Sequence, residues 1–247
     1  MGRHATVAGR QASSAAMKGK LFTKLAREIM VSARSGSDLN SNSRLRLAVE
    51  KAREQNMPKD NIERAIKKGS GELEGASYEE ITYEGYGPQG TAILVEVLTD
   101  NRNRTNPELR KIFQKSGGNM GEMGSVAWMF KKRGVFDIDL SKHTEDQVME
   151  AALEAGAEDV VTDEGVITIY TDPVLFSPVK AALIKAGISF EQASIDMIPE
   201  NTTKVSSDAA KQAWELVQKL EDYDDTQKVF YNFEIDKDEF EKILASK

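Results

Sequence analysis

The sequence predicts an α+β fold: an N-terminal three-helix bundle plus two α/β-sandwich lobes of ferredoxin-like type, the third domain inserted into the second. Three observations carry this. Apolar residues recur at helical spacing three times within the first 70 residues, the period drops to two from about residue 79, and residues 134–200 run strand-helix-strand-strand-helix-strand. The implied division is a mobile basic tail at 1–19, a helical bundle at 20–75, a discontinuous α/β domain at 76–133 plus 201–247, and an inserted domain at 134–200.

The tail mixes Gly, Ser, Ala and basic residues without apolar periodicity. A first helix is expected from about Lys20, with Leu21, Phe22, Leu25 and Ile29 on its buried stripe and Ser35-Gly36-Ser37 ending it. A second, about 43–56, sets Leu45, Ala48, Val49 and Ala52 on one face. Pro58 then opens a third, with Ile62, Ala65 and Ile66 apolar and Gly69 just beyond its end. Each stripe is too narrow to be stable alone, so the three helices must share one core.

Residues 80–83 and 91–98 read as strands joined by a turn at Gly85 to Gly90, whose glycines permit positive φ. A helix over about 104–116 follows, capped by Asn103 or Thr105 and stopped by Gly117-Gly118, and strand character returns at 125–130 with Trp128 in the core. The inserted unit contributes strands at 134–140, 159–162, 166–171 and 188–197 and helices at 144–155 and 173–186. Afterwards a helix at about 206–221 and a strand at 228–235 lack local partners, and they supply the pair missing from the earlier β-β-α-β block.

Cysteine is absent and only His4 and His143 supply imidazoles, which excludes disulfides, thiolate metal sites and thiol nucleophiles. Elbow, phosphate-loop, dinucleotide and zinc-protease motifs are all missing, so the expectation is a non-enzyme with no catalytic residues, no cofactor and no metal. No run of 18 apolar residues and no apolar leader occurs, giving an expected cytoplasmic location and no membrane partner. The first 27 residues, with six cations and no acid, also fit a mitochondrial transit segment, the alternative location.

The net charge of −7 hides a strong asymmetry. Residues 1–70 carry 15 Lys+Arg against 6 Asp+Glu, net +9, whereas the remainder carries 18 against 34, net −16. Phosphate attraction is local, screened within about 10 Å at 0.1 M salt, so a basic head can bind a polyanion while the acidic body stands clear. The candidate contacts are Arg3, Arg10, Lys18, Lys20, Lys24 and Arg27 from the tail and first helix, and Lys59, Arg64, Lys67 and Lys68 from the third. Arg102 and Arg104 join them, because they lie where a strand hands over to a helix N-terminus; the alternative is that they pair with Asp100 or other body acids. The Gly117 to Gly124 run reads as a connection needing glycine geometry rather than as a phosphate cradle. With Phe22 as the one aromatic of the head, base stacking is not expected, which leaves duplex backbone or folded RNA. Residues 141–200 hold 12 acids against 3 bases and could face a basic protein.

Five blocks resemble the YebC/PmpR type of transcriptional regulators, whose mitochondrial relatives are translational activators. They are Met57 to Gly69, Tyr83 to Gly90, Thr99 to Thr105, Gly117 to Phe130 and Leu220 to Ile235. The resemblance implies three domains, a helical bundle and two α/β lobes. The tail departs from the family pattern: His4-Ala5-Thr6-Val7 and Gly9-Arg10-Gln11-Ala12-Ser13 stand where relatives carry a Trp-containing, densely cationic string. The expected function is a nucleic-acid-binding regulator of gene expression, of DNA-binding transcriptional type; the alternatives are a translational activator on ribosomal RNA or the ribosome, and an acidic protein-binding adaptor. The expected state is a monomer.

Overall fold

The computed structural model describes residues 15–75, 77–163 and 165–245, which divide into two compact units, one of Trp128–Thr202 and the other of the flanking stretches. The flanking unit begins with helices α1 (Ala15–Ala33), α2 (Ser43–Glu54) and α3 (Lys59–Gly69). Their stripes interlock in one core of Leu25, Ile29, Ala33, Leu45, Ala48, Val49, Ala52, Met57, Ile62 and Ala65. Helix α1 thus already runs from Ala15, through part of the expected tail. Leu21, expected inside, is 37% exposed, because the buried stripe drifts from Leu25 and Ile29 to Ala33.

Asn42 joins α1 to α2. Its Oδ1 accepts the Leu45 N–H at 3.0 Å while its amide donates to the Ser32 and Gly36 carbonyls at 2.8 and 2.7 Å. A four-residue turn, with Asn56 at φ 59°, leads to α3, and Pro58 fixes the approach. Gly69 lets α3 touch α1: a Cβ there would stand 2.2 Å from the Met30 carbonyl oxygen.

The same unit continues with β1 (Glu79–Tyr86), β2 (Ala92–Thr99), α4 (Arg102–Lys115) and β3 (Asn119–Met120). After Thr202 it resumes with β8 (Thr203–Lys204), α7 (Ser207–Asp222), β9 (Thr226–Tyr231), β10 (Phe233–Glu234) and α8 (Lys237–Ala245). The sheet order is β3-β1-β2-β9, antiparallel throughout, with Glu80 opposite Leu98 and Val95 opposite Val229. Helices α4 and α7 pack Leu109, Phe113, Leu216 and Leu220 onto Tyr83, Ile93, Val95 and Val97. A smaller core gathers Trp214, Phe233, Phe240 and Ile243 beside the two-stranded parallel pair β8-β10. Helix α8 was not expected, although Phe240 and Ile243 form a short i, i+3 pair.

The expected strand at 125–130 does not form. Glu84, buried on β1, accepts the backbone N–H groups of Gly124, Val126 and Ala127 at 2.6, 2.7 and 2.7 Å, and a 3-10 turn at Ala127–Met129 follows. That turn breaks strand alternation, so Val126 goes inside and Trp128, expected in the core, is 69% exposed. Burial pushes the Glu84 carboxyl up, but the three amide donors outweigh it and leave it below the usual range. Glu84→Gln places an NH2 group against those donors and is expected to lower unfolding stability by about 2 kcal/mol in denaturant titration. A change within about 0.5 kcal/mol would contradict this structural role.

The second unit holds β4 (Phe130–Asp139), α5 (Glu145–Glu154), β5 (Asp159–Asp163), β6 (Val166–Thr171), α6 (Phe176–Lys185) and β7 (Gln192–Pro199). Its antiparallel order β5-β6-β4-β7 is the ferredoxin-like arrangement. Phe136, Ile138, Ile167 and Ile169 of the sheet and Val148, Ala152, Phe176, Val179 and Leu183 of the helical side are all buried, and Phe136 stacks on Phe176 at 4.8 Å. Strand β4 begins four residues earlier than the sequence suggested.

Candidate nucleic-acid interface

Helix α3 presents the clearest row of cations. Its apolar positions Ile62 and Ala65 face the bundle, which leaves Lys59, Arg64, Lys67 and Lys68 exposed on the remaining surface. Lys59, 83% exposed, stands 3.5 Å from Glu63 one turn on, a contact of little energetic weight. Among the described residues, no carboxylate lies within ion-pairing distance of Arg64, Lys67 or Lys68. Lys67 and Lys68 also sit in the last turn, where the helix dipole favours positive charge.

Helix α1 behaves differently. Lys20, Lys24 and Arg27 recur at i, i+4 and i+7, so they share one face, and that face meets the acidic turn between α7 and β9. Lys20 lies 3.5 and 3.8 Å from the Asp222 and Asp224 carboxylates and donates to the Asp222 carbonyl. Lys24 donates to the Glu221 carbonyl at 2.7 Å; burial pushes its ammonium below the usual range while Glu221 pulls the other way. Arg27, 13% exposed, pairs with Asp225 at 3.1 Å and donates to the Asp224 carbonyl. The acidic body therefore does not stand clear of the head. It holds three of the expected phosphate ligands, and Lys18, two residues before Lys20 and so off their common face, remains exposed.

Asp225 also reaches α4. Its Oδ2 lies 2.9 Å from Arg104 Nη2, 2.8 Å from Thr105 Oγ1 and 3.1 Å from Thr99 Oγ1. Asp100 pairs with Arg104 as well, at 3.0 Å, and these two carboxylates raise the guanidinium further above its ordinary value. Of the two readings of this segment, pairing with body acids describes Arg104, whereas Arg102 is exposed in the first turn of α4. The cap is Asn101, whose side chain accepts the Arg104 N–H at 3.1 Å, rather than Asn103 or Thr105. Arg3 and Arg10 lie outside the described residues.

Two residues that sequence reasoning passed over complete the surface. Tyr78, after the bundle in sequence, packs under the Arg27 guanidinium at 5.3 Å from its ring centroid, and Asn61 lies one turn before Arg64. Both line a groove of about 280 Å³ between α1 and α3, together with Phe22, Arg27, Arg64 and Lys68. A second concavity, of about 390 Å³ and confined to the ferredoxin-like unit, is lined by Lys131, Arg133, Asp159, Tyr170 and Glu200. Its cations stand 3.5 and 3.7 Å from Glu158, so it offers an anion much less. Among the described residues no helix is long and apolar enough to cross a membrane, and no His or acidic cluster has metal-binding geometry.

Comparisons with known proteins agree with this architecture. Residues 2–72 match the model of the TACO1/YebC protein N-terminal domain, and residues 78–233 match that of the TACO1/YebC second and third domain. A probable transcriptional regulatory protein of Geobacter sulfurreducens is 53% identical over 97% of both chains, and one of Trichlorobacter lovleyi is 52% identical over 97% of both. The crystal structure of a conserved hypothetical protein from Aquifex aeolicus superposes with a TM-score of 0.84 at 45% identity, covering 92% of this chain and 95% of that one. Matched along nearly its whole length by family models and relatives alike, the chain belongs to the TACO1/YebC family.

Proposed function

We propose that this chain is a non-enzymatic, nucleic-acid-binding regulator of gene expression that acts in the cytoplasm and contacts phosphates through α3. The exposed row of Lys59, Arg64, Lys67 and Lys68 supports this most directly, since three of the four have no acidic partner among the described residues. Lys18 and Arg102 are further exposed cations of the proposed surface; Arg3 and Arg10 belong to the proposal by their charge alone and lie outside the described residues. Lys20, Lys24, Arg27 and Arg104 act instead from within the interface, fixing α1 and α4 through the acidic turn. The relatives named probable transcriptional regulatory proteins favour a transcriptional role.

A second reading, a translational role on RNA, draws on the composition of α3. Asp60 and Glu63 interrupt its cations, and a major-groove recognition helix would want Arg, Asn or Gln projecting together toward base edges. Folded RNA, read by shape and backbone, tolerates that mixture better.

Anisotropy of the full chain with labelled duplex DNA and with structured RNA, measured from about 50 to about 200 mM salt, tests the common core of both readings. Four phosphate contacts imply a slope of log K against log salt of about −3 to −4. A flat salt profile, or no binding to either, would overturn the proposal. Crosslinking in cells, followed by sequencing of bound DNA and RNA, separates the two readings: promoter fragments select transcription and ribosomal RNA selects translation.

A further inference from the structure

The groove between α1 and α3 combines features that plain phosphate binding does not require. Asn61, Arg64 and Lys68 follow one another at i, i+3 and i+7, so α3 lines one wall with an amide and two cations. Phe22 and Arg27 come from α1 on the other wall, and Tyr78 joins the lining from beyond the bundle. Arg27 differs from the two α3 cations. Asp225 matches its charge at 3.1 Å, and its guanidinium carbon lies over the Tyr78 ring at 5.3 Å from the centroid, so it is held in place rather than free as a phosphate ligand. Ala26 and Ala65 contribute only methyl groups, and Thr23, Met30 and Met57 complete the lining.

Planar stacking surface, an amide able both to donate and to accept, and two unpaired cations one turn apart correspond to the three parts of a nucleotide: base, base edge and phosphate. At about 280 Å³ the groove lies near the lower end of the range for small-molecule sites, roughly 300–1,000 Å³, and has room for one base with its sugar. A base pair is too large. An acidic peptide would satisfy Arg64 and Lys68 but would leave the aromatic and amide surface unused.

We infer that this groove receives a single unpaired nucleotide, its base against Phe22, Tyr78 and Arg27, its edge at Asn61 and its phosphate at Arg64 and Lys68. The inference rests on the nucleic-acid reading above and sharpens it: the protein would prefer a helix interrupted by a bulged or flipped base to a continuous one. It also runs against the expectation from sequence that the head lacks stacking aromatics, because Tyr78 is recruited from beyond the bundle.

The test uses the full chain with matched RNA and DNA stems, either continuous or carrying one bulged 2-aminopurine. The bulged stem should bind about tenfold more tightly than the continuous one, and the 2-aminopurine emission should fall as its ring stacks. Tyr78→Ala should abolish both effects, and Tyr78→Phe should keep both. Asn61→Ala, at a half-buried position outside the bundle's apolar core, should reduce the preference for the bulge with a nearly unchanged thermal midpoint. A preference confined to RNA, or shared by RNA and DNA, supports the inference and names the source of the nucleotide. Equal affinity for both stems without quenching overturns it while the nucleic-acid reading stands; failure to bind either stem overturns both.

Discussion

Asp225→Ala is expected to lower unfolding stability by about 3–5 kcal/mol, the largest single-residue effect on stability predicted for this chain. Its carboxylate is almost wholly buried and serves three elements at once: Arg27 of α1, Arg104 and Thr105 of α4, and Thr99 at the end of β2. Removing it leaves the nearly buried Arg27 guanidinium without its carboxylate and strips an acceptor from two buried hydroxyls. Each of those is costly in low dielectric. Because Arg27 and Asp225 are some 200 residues apart in sequence, the pair also clamps the helical bundle to the sheet, so α1 should lose amide protection in the variant before the sheet does.

The same carboxylate gives this prediction a pH signature. Burial pushes Asp225 up, but hydrogen bonds from Arg104, Thr105 and Thr99 and the charge of Arg104 outweigh it and hold the group below its ordinary value. A depressed folded value means that the unfolded chain takes up the proton first as pH falls. The stabilisation is therefore complete above the unfolded value of about 4 and is lost as pH drops through the folded one. Glu84 is depressed too and adds to the same acid limb. The stability gap between wild type and Asp225→Ala should be widest near neutrality and shrink below about pH 4. Denaturant titrations across that range decide it, and a gap that stays constant down to pH 3 would count against the clamp.

What could be read from sequence was what is local. The stripes Leu45-Ala48-Val49-Ala52 and Ile62-Ala65 fixed α2 and α3 because helical periodicity depends only on neighbours, and the strand-helix order of the ferredoxin-like unit followed from the same kind of signal. Trp128 and the missing strand at 125–130 went astray because a carboxylate some 40 residues upstream captures the backbone there. A hydropathy pattern carries no trace of that capture. The cations of α3 were legible as an exposed row for the reason that one helix displays them all. Those of α1 were not, since their partners lie on a turn about 200 residues away. The signal that could have paired them was charge complementarity: Lys20, Lys24 and Arg27 at i, i+4, i+7 against the acids at 221, 222, 224 and 225.

This separation of structural from displayed cations makes the remaining prediction a sharp one. Replacing Lys59, Arg64, Lys67 and Lys68 together by Glu should weaken nucleic-acid binding by at least about a hundredfold near 100 mM salt and remove most of the salt dependence, since contributed counterion release scales with the phosphates contacted. Stability should barely move. All four side chains are exposed, and among the described residues the sole ion pair they make is Lys59 with Glu63. Lys67→Glu and Lys68→Glu place acids in the last turn of α3, against the helix dipole, at a combined cost of about 1 kcal/mol, so the thermal midpoint should fall by only a few degrees. The matching reversal of Lys20, Lys24 and Arg27 should do the opposite, unfolding the junction with the acidic turn before any effect on binding can be read. Binding that survives the α3 reversal intact would remove the phosphate-contact role from this helix and shift attention to the acidic lobe as a protein-binding surface.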